Sequence, residues 1–508
     1  MNKNLVSPPT EEEKYLFLTQ NKGVLYFFSV LSFLLLIIGM IFFSRSHPYL
    51  YLFIPWILVL SFYLSISYVV GVFGKPFHFK NHESLKNTYR HGYEPSVDIY
   101  LPVCGEDVGI IENTFGHVSQ IDYGNHKVYV LDDGRDPRVM DLSERYKFSY
   151  ITRPNPGEHK KAGNLRYAFT QTKGEFILVF DADFCPRKDF IKETIFYFNH
   201  DEKIAIVQTP QFFNITAGQT WIQKGTAFVQ ELFYRLIQTN RNTWGASICV
   251  GTNAIYRRKA LEPFGGTALI NYSEDLHTGF NCLVIGYKVL YIPINLAQGL
   301  CPDKLDIFFS QQYRWAMGSI TLFFNPEFWR APLPIMVRVS YLSGMLYCIT
   351  TGLGIFMTPL PGLIMVFFFT EYVYWYNVIF SLPSFLVGTF YMAFWAKLPW
   401  GVRVMKVRQV SYYAHLFAFV DKLRGNLMEW VPTGQVNHRS KRFKTFKATV
   451  CVWSFICLIL SLYGVHSSVD DIGILNLVPF LFFQSLNFYV SVDSLRSPKD
   501  GPRLAAAL

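Results

Sequence analysis

The sequence predicts an α/β domain inserted into an α-helical, multi-pass transmembrane domain. Three observations predict it. Hydrophobic residues make up 51% of the chain and charged residues only 17%, against about 25% charged in soluble domains. Apolar runs long enough to span a bilayer, roughly 20 residues, cluster at the two ends. Between them, from 76 to 330, short β-rich runs alternate with amphipathic helical stretches, the pattern of βαβ units around a parallel sheet.

The first apolar runs lie near 24–43 and 49–73. The earlier begins at about Val24 and is long enough to span, so it reads as an anchor rather than a cleavable signal. The strands VDIYLPV and KVYVLDD open the α/β region. Apolar runs return near 335–358, 362–396, 447–466 and 472–493. The run 362–396 is too long for one helix and is punctuated by Pro361 and Pro383; two crossings are expected between 330 and 397, with 362–375 interfacial or re-entrant. Segment 397–447 holds eleven Lys or Arg against two acids, whereas the expected outer connections hold Arg45 alone. This positive-inside asymmetry places 76–330 and 397–447 on the cytosolic side, with 409–428 an amphipathic helix on the membrane surface. The division is therefore 1–75, N-terminal transmembrane helices; 76–330, the α/β domain; 331–396, transmembrane helices; 397–446, interfacial helix and loop; 447–495, C-terminal transmembrane helices; and 496–508, a tail without assigned function.

Composition excludes other classes. The net charge is +10, but basic residues flank apolar spans instead of forming an aromatic-interleaved tract, so no nucleic-acid partner is expected. The eight cysteines show no C-x-x-C and no zinc spacing, and all read as free thiols.

Four motifs carry chemistry. Asp132-Asp133-Gly134 follows the strand KVYVL, where ligands bind beyond carboxyl ends of strands; a carboxylate there can hold a ribose or base, although Asp-Gly is also a common turn pair. Asp181-Ala182-Asp183 follows FILVF, and two hard oxygen ligands at a strand end suit Mg²⁺ or Mn²⁺ neutralising a departing diphosphate. Ser273-Glu274-Asp275 opens an apolar-periodic stretch. Ser273 is expected to cap that helix, and Asp275 is placed to take a proton from a sugar hydroxyl. Gln311-Gln312-Tyr313-Arg314-Trp315 supplies a guanidinium for a diphosphate and a flat indole for a sugar ring, with an interfacial Arg-Trp anchor as the plainer alternative.

In that order, within an α/β domain framed by membrane helices, the series resembles the processive family-two glycosyltransferases: cellulose synthase and relatives that make curdlan, mixed-linkage glucan, chitin and hyaluronan. The resemblance covers roughly 50–450. His159-Lys160-Lys161-Ala162-Gly163-Asn164 and Gly251-Thr252-Asn253-Ala254 support it. It implies a GT-A-type glycosyltransferase domain and a UDP-sugar donor, with glucose the first choice. Donor contacts fall on Pro102, Glu106, Asp132, Asp133, Lys161, Asp181, Gln311, Arg314 and Thr433. The metal falls on Asp183, the acceptor on Trp315 and Glu274, and the base role on Asp275. It also implies a growing polysaccharide as product, a bilayer as surroundings and the plasma membrane as location. A non-processive transfer to lipid, or a chitin- or hyaluronan-type product, are the alternatives.

The chain departs from the family pattern in three places. Ser273 begins the S-E-D motif. Cys104 stands where an aromatic often sits in the loop that admits the nucleotide. Trp430-Val431-Pro432-Thr433-Gly434 replaces the F-x-V-T-x-K gating sequence. No cyclic-di-GMP-binding domain is expected after the last span. Linkage and oligomeric state are not encoded in these motifs.

Overall fold

The computed structural model describes residues 5–18, 21–89, 94–216, 218–396, 402–425 and 441–496; Thr433 and the expected loop over the donor lie outside them. Nine strands occur among them: β1 Val97–Val103, β2 His126–Asp132, β3 Ser149–Ile151, β4 Phe176–Val179, β5 Phe184–Pro186, β6 Ile204–Gln208, β7 Ala254–Arg257, β8 Lys288–Tyr291 and β9 Ala297–Gly299. All seven residues of β1 are buried. Alternation along it serves two layers. Ile99, Leu101 and Val103 pack with Ile111, Phe115 and Val118 of the helix Val108–Val118, whereas Tyr100 packs with Leu165 and Ala168 of the helix Lys160–Gln171. A strand covered on both faces needs no polar side, which is why this run reads as almost continuously apolar.

The main sheet has the order β3-β2-β1-β4-β7-β6-β8, with β5 and β9 forming a separate pair. It is mixed rather than parallel, which corrects the sequence expectation. β3, β2, β1 and β4 are mutually parallel neighbours. β7 is antiparallel to both β4 and β6. The inversion brings the start of β7 to the rim where β1, β2 and β4 end: Val179 pairs with Ala254, and Ala254 with Gln208. The turn Gly251-Thr252-Asn253 therefore stands beside Asp181. Periodicity reads a buried strand but not its direction.

Among the described residues, five helical stretches are long and apolar enough to cross a membrane: Gly23–Arg45, Pro48–Val72, Ile335–Phe368, Lys441–Ile472 and Ile474–Asp493. A shorter apolar stretch follows at Leu382–Ala396. The chain is an integral membrane protein. Within the long apolar run, Pro361 and Pro383 both occupy first turns of short helices, where the missing N–H costs nothing. The two helices are separated by 3-10 turns at Thr370–Tyr372 and Trp375–Phe380.

The helix Val402–Arg424 lies against Leu305–Phe323, burying Val407, Val410, Tyr413 and Ala414 with Phe309, Tyr313 and Met317. The same cluster holds Ile349 and Ile355 of the span Ile335–Phe368 and Phe446 and Val450 of the span Lys441–Ile472, so this apolar seam joins the sheet domain to the membrane helices. A second join was not foreseen from the sequence. The short helix Glu11–Lys14 carries a Thr10/Glu13 capping box and docks on the sheet domain through Lys14, which donates to Asp189 (2.7 Å) and Glu193 (2.9 Å). The signal was present, since T-x-x-E is itself a helix-start pattern.

Candidate active site

The site is built on the rim formed by the ends of β1, β2 and β4 and the start of β7. After β2, Asp132 is buried and fully bonded within the chain. Its Oδ1 accepts from the N–H groups of Gly134 (2.8 Å) and Arg135 (3.0 Å). Its Oδ2 accepts from the N–H of Asp136 (2.9 Å) and the hydroxyl of Tyr150 (2.8 Å). Asp133 is clasped by Arg153: Nε donates to Oδ1 and Nη2 to Oδ2, each at 2.6 Å. Arg153 was missed in the sequence. It follows β3 as a lone cation in RPNPG, and nothing local says which acid it will meet. Gly157 N–H adds a third donor to Asp133 at 3.2 Å. The D-D-G turn is thus held in shape by its own acids.

After β4 the arrangement reverses. Phe180 continues the buried strand, and Asp181 receives the Lys161 ammonium. Lys161 also donates to the carbonyl of Gly251 at 2.9 Å, and Thr252 Oγ1 accepts from the N–H of Asp181 at 2.9 Å. One lysine therefore ties the helix Lys160–Gln171 to β4 and to the turn before β7. Asp183 stands in a half-buried pocket beside acids. Burial, with the Asp181 and Glu106 carboxylates adding to it, pushes Asp183 up to about 7. Glu106, on the loop after β1, is likewise pushed up to about 7, chiefly by burial and then by Asp181 and Asp132, although the N–H of Cys104 donates to it at 2.6 Å. Pro102 is buried within β1, paired with Leu131.

The helix Glu274–Val284 enters the site at its N-terminus. Ser273 occupies the cap position but makes no capping bond; its backbone is left-handed (φ 51°). Its hydroxyl instead donates to the carbonyl of Arg314 at 3.2 Å. Its side chain lies in the notch left by Gly318, where a Cβ would overlap it. The capping expectation is corrected: Ser273 is the seam between the S-E-D and Q-x-x-R-W segments.

Asp275 is half-buried, its Oδ1 accepting from the N–H of Leu276 at 2.8 Å. It is pushed up to about 7 by burial and by Glu274, with Lys161 acting in the opposite sense. Gly251 (φ +77°) lets the turn approach it closely, since a methyl there would lie 3.0 Å from Asp275 Oδ2. Only glycine meets both demands cheaply.

Arg314 faces the same acids. Burial lowers its pKa, while Glu274, Tyr272 and Asp181 hold its charge. Gln311 lies one turn earlier, its Oε1 buried and without a hydrogen-bond partner among the described residues. Trp315 is exposed at 36%. The structure thus brings Glu106, Lys161, Asp181, Asp183, Glu274, Asp275 and Arg314 into one mutually sensing group. It holds Asp132 and Asp133 in an internally bonded turn, from which Asp132 still bears on Glu106, and leaves Trp315 at the edge.

An open α/β sheet whose acidic rim gathers hard oxygens beside a lysine and an arginine, joined to membrane helices, is a GT-A-like fold carried by a transmembrane domain. Residues 97–318, less than half of the chain, match the model described as glycosyltransferase like family 2. The chain is 37% identical over 263 residues to cellulose synthase 1 of Komagataeibacter xylinus, a match covering 49% of this chain and 16% of that one. It is 32% identical over 265 residues to a UDP-forming cellulose synthase catalytic subunit of Xanthomonas axonopodis pv. citri, covering 50% and 35%. The matched part thus spans about a third or less of those relatives' length. A mannosyltransferase from Pyrobaculum calidifontis, solved with GDP-mannose and Mn²⁺, shares the fold at a TM-score of 0.51 and 14% identity, covering 73% of this chain and 98% of that one.

Proposed function

We propose that this chain transfers a sugar, glucose in the first instance, from a UDP-sugar to the end of a β-linked polysaccharide, and that it does so processively, passing the product between its own membrane helices. The observation that carries the reading is the convergence of Asp181, Asp183, Asp275 and Arg314 from three separate motifs on one rim. The relatives named as UDP-forming cellulose synthases support the donor and the product.

In this reading Asp275 accepts the proton of an acceptor hydroxyl. That oxygen attacks the anomeric carbon from the face opposite UDP. The bond between that carbon and the diphosphate oxygen breaks, UDP leaves with the electron pair, and the new linkage is β. A carboxyl pushed up to about 7 is matched to that task, because about half of it is ionised at neutral pH and the ionised form is basic enough to hold the proton. Arg314 and Lys161 meet the negative charge that grows on the diphosphate.

The donor set fits a divalent cation. Asp183 and Asp181 offer hard oxygens in a cluster whose like charges already favour protons, so a cation is welcome there. Asp183 would be the direct ligand, and Mg²⁺ or Mn²⁺, when bound, neutralises the diphosphate. Trp315 would stack on the acceptor ring, with Glu274 beside it. Because their acceptor positions are filled internally, Asp132 and Asp133 would present the backbone of their turn to the nucleotide rather than free carboxylates. Pro102 would shape the floor of that turn, Gln311 would complete the diphosphate contacts, and Thr433 remains the residue assigned to close over the donor. The positive-inside asymmetry supports a cytosolic catalytic domain in the plasma membrane.

A pulse of radiolabelled UDP-sugar followed by excess unlabelled donor tests the reading in purified protein. Labelled chains are expected to lengthen at constant number and to stay bound through detergent washing. A product that is a lipid bearing one sugar, extractable into organic solvent, would overturn it.

A further inference from the structure

The first membrane hairpin has a feature that the transfer chemistry does not use. Residues 15–82 contain Lys22, Arg45, Lys75 and Lys80 but not one Asp or Glu. Lys22 occupies the N-cap position of the first spanning helix, Gly23–Arg45, without a side-chain capping bond. Its ammonium donates to the carbonyls of Gly74 (2.6 Å) and Gly71 (3.3 Å) and to Oδ1 of Asn240. These three partners are neutral oxygens. Burial lowers its pKa to about 8, as expected of a cation withdrawn from water without a counter-charge. The same point is the positive end of a 23-residue helix, and Lys75 stands exposed nearby. Lys22 and Lys75 thus bring positive charge to this point with no acid in residues 15–82 to balance it.

A groove of about 690 Å³ opens there, walled by Lys22, Tyr26, Val30, Leu31 and Leu34 on the first span and by Val72 on the second. It is polar only at the Lys22 end. From Lys22 to Leu34 a helix rises about 18 Å, close to the roughly 15 Å of one leaflet's hydrocarbon. The charged end and the apolar length together describe a ligand with an anionic head and an acyl tail.

We propose that this groove binds one anionic phospholipid from the leaflet facing the catalytic domain, its phosphate beside the Lys22 and Lys75 charges at the helix N-terminus and an acyl chain along Val30–Leu34. Occupancy would bear on the catalytic domain directly. Asn240, which accepts from Lys22, also donates to the Tyr26 hydroxyl at 2.6 Å, and the helix holding Asn240 leads into the strand-start turn at Gly251.

Native mass spectrometry of the purified full chain, exchanged against phosphatidylglycerol and phosphatidylcholine in turn, tests the site. One phosphatidylglycerol per chain is expected to survive delipidation, with phosphatidylcholine lost first. Lys22→Gln should weaken retention about fivefold or more, the scale of one basic residue meeting an anionic lipid, and Lys22→Arg should restore it. Leu31→Trp, which fills the groove and leaves the charge, should displace the lipid as well. Millimolar inorganic phosphate should not release it. Equal retention of the two lipids, wild-type binding in Leu31→Trp, or release by phosphate alone would each overturn the proposal. None of these readouts depends on sugar transfer, so failure here is separable from failure of the proposed activity.

Discussion

Two pairs of carboxylates end neighbouring parts of the same sheet and are treated in opposite ways. After β2, Asp132 accepts four hydrogen bonds from its own turn and Tyr150, and Asp133 is gripped by a buried guanidinium. After β4, Asp181 shares one lysine, and Asp183 has acids for neighbours and is pushed up to about 7. The letters D-D and D-x-D do not distinguish these fates. What distinguishes them is the supply of donors: a carboxylate surrounded by N–H and guanidinium groups fixes the fold, and one left among its own kind is available to a cation or a proton. Asp275 belongs with the second group.

The largest effect should come from that second group. Asp275→Asn keeps the shape and removes the proton acceptor, so turnover should fall about 10²–10⁴-fold with UDP affinity near wild type. In the wild-type enzyme, kcat/KM should rise with pH through about 7 as the carboxyl ionises. The stability consequence has the opposite sign to that of an ion-paired acid. A carboxyl raised above its unfolded value binds its proton better in the folded state, so stability declines as pH climbs from about 4 through 7. Ligand-free Asp275→Asn should therefore melt above wild type at pH 8 and converge with it in acid. Collapse of UDP binding, or a melting temperature below wild type at pH 8, would make Asp275 part of the scaffold instead.

The first group should answer next. Asp133→Asn leaves Arg153 buried without its carboxylate, and breaking one side of such a pair costs about 3–5 kcal/mol. A thermal melt in detergent should show that loss, whereas Asp183→Asn should hold or raise the melting temperature while abolishing response to added metal. If the two variants destabilise alike, the contrast between the pairs fails.

The difference also explains what could be read in the sequence. The fold class was legible because spans, strands and turns are local: VDIYLPV and FILVF announce β1 and β4 by composition alone. The order of the acidic motifs was legible too. The partners were not. Arg153 meets Asp133 across a strand and a turn, Ser273 donates to a carbonyl 41 residues away, and β7 runs against its neighbours; each depends on how distant segments meet. The direction of β7 mattered most, because it is what sets Gly251 against Asp275.

The smallest effect tests whether the rim is held by polar pairs or by packing. Tyr313, fully buried beside Arg314, donates to Oδ2 of Asp421 at 3.0 Å, and Asp421 is also paired with Arg442 at the start of the helix Lys441–Ile472. This chain of contacts links the helix Leu305–Phe323 to the helices Val402–Arg424 and Lys441–Ile472. Tyr313→Phe keeps the ring in its apolar seam with Val410 and Phe446 and removes only the hydroxyl. Asp421 keeps its arginine, so no charge is left unpaired. The loss should be about 1.5 kcal/mol, the low end for a bond to a charged group, and it should appear as a modest drop in melting temperature. Donor affinity should be unchanged, because an apolar seam of this extent fixes the helix without the bond. Donor affinity that falls as far as it does in Arg314→Ala would show the reverse: the orientation of Arg314 would then depend on a single polar tether from the membrane helices, and the catalytic rim would be set from the membrane rather than from the sheet.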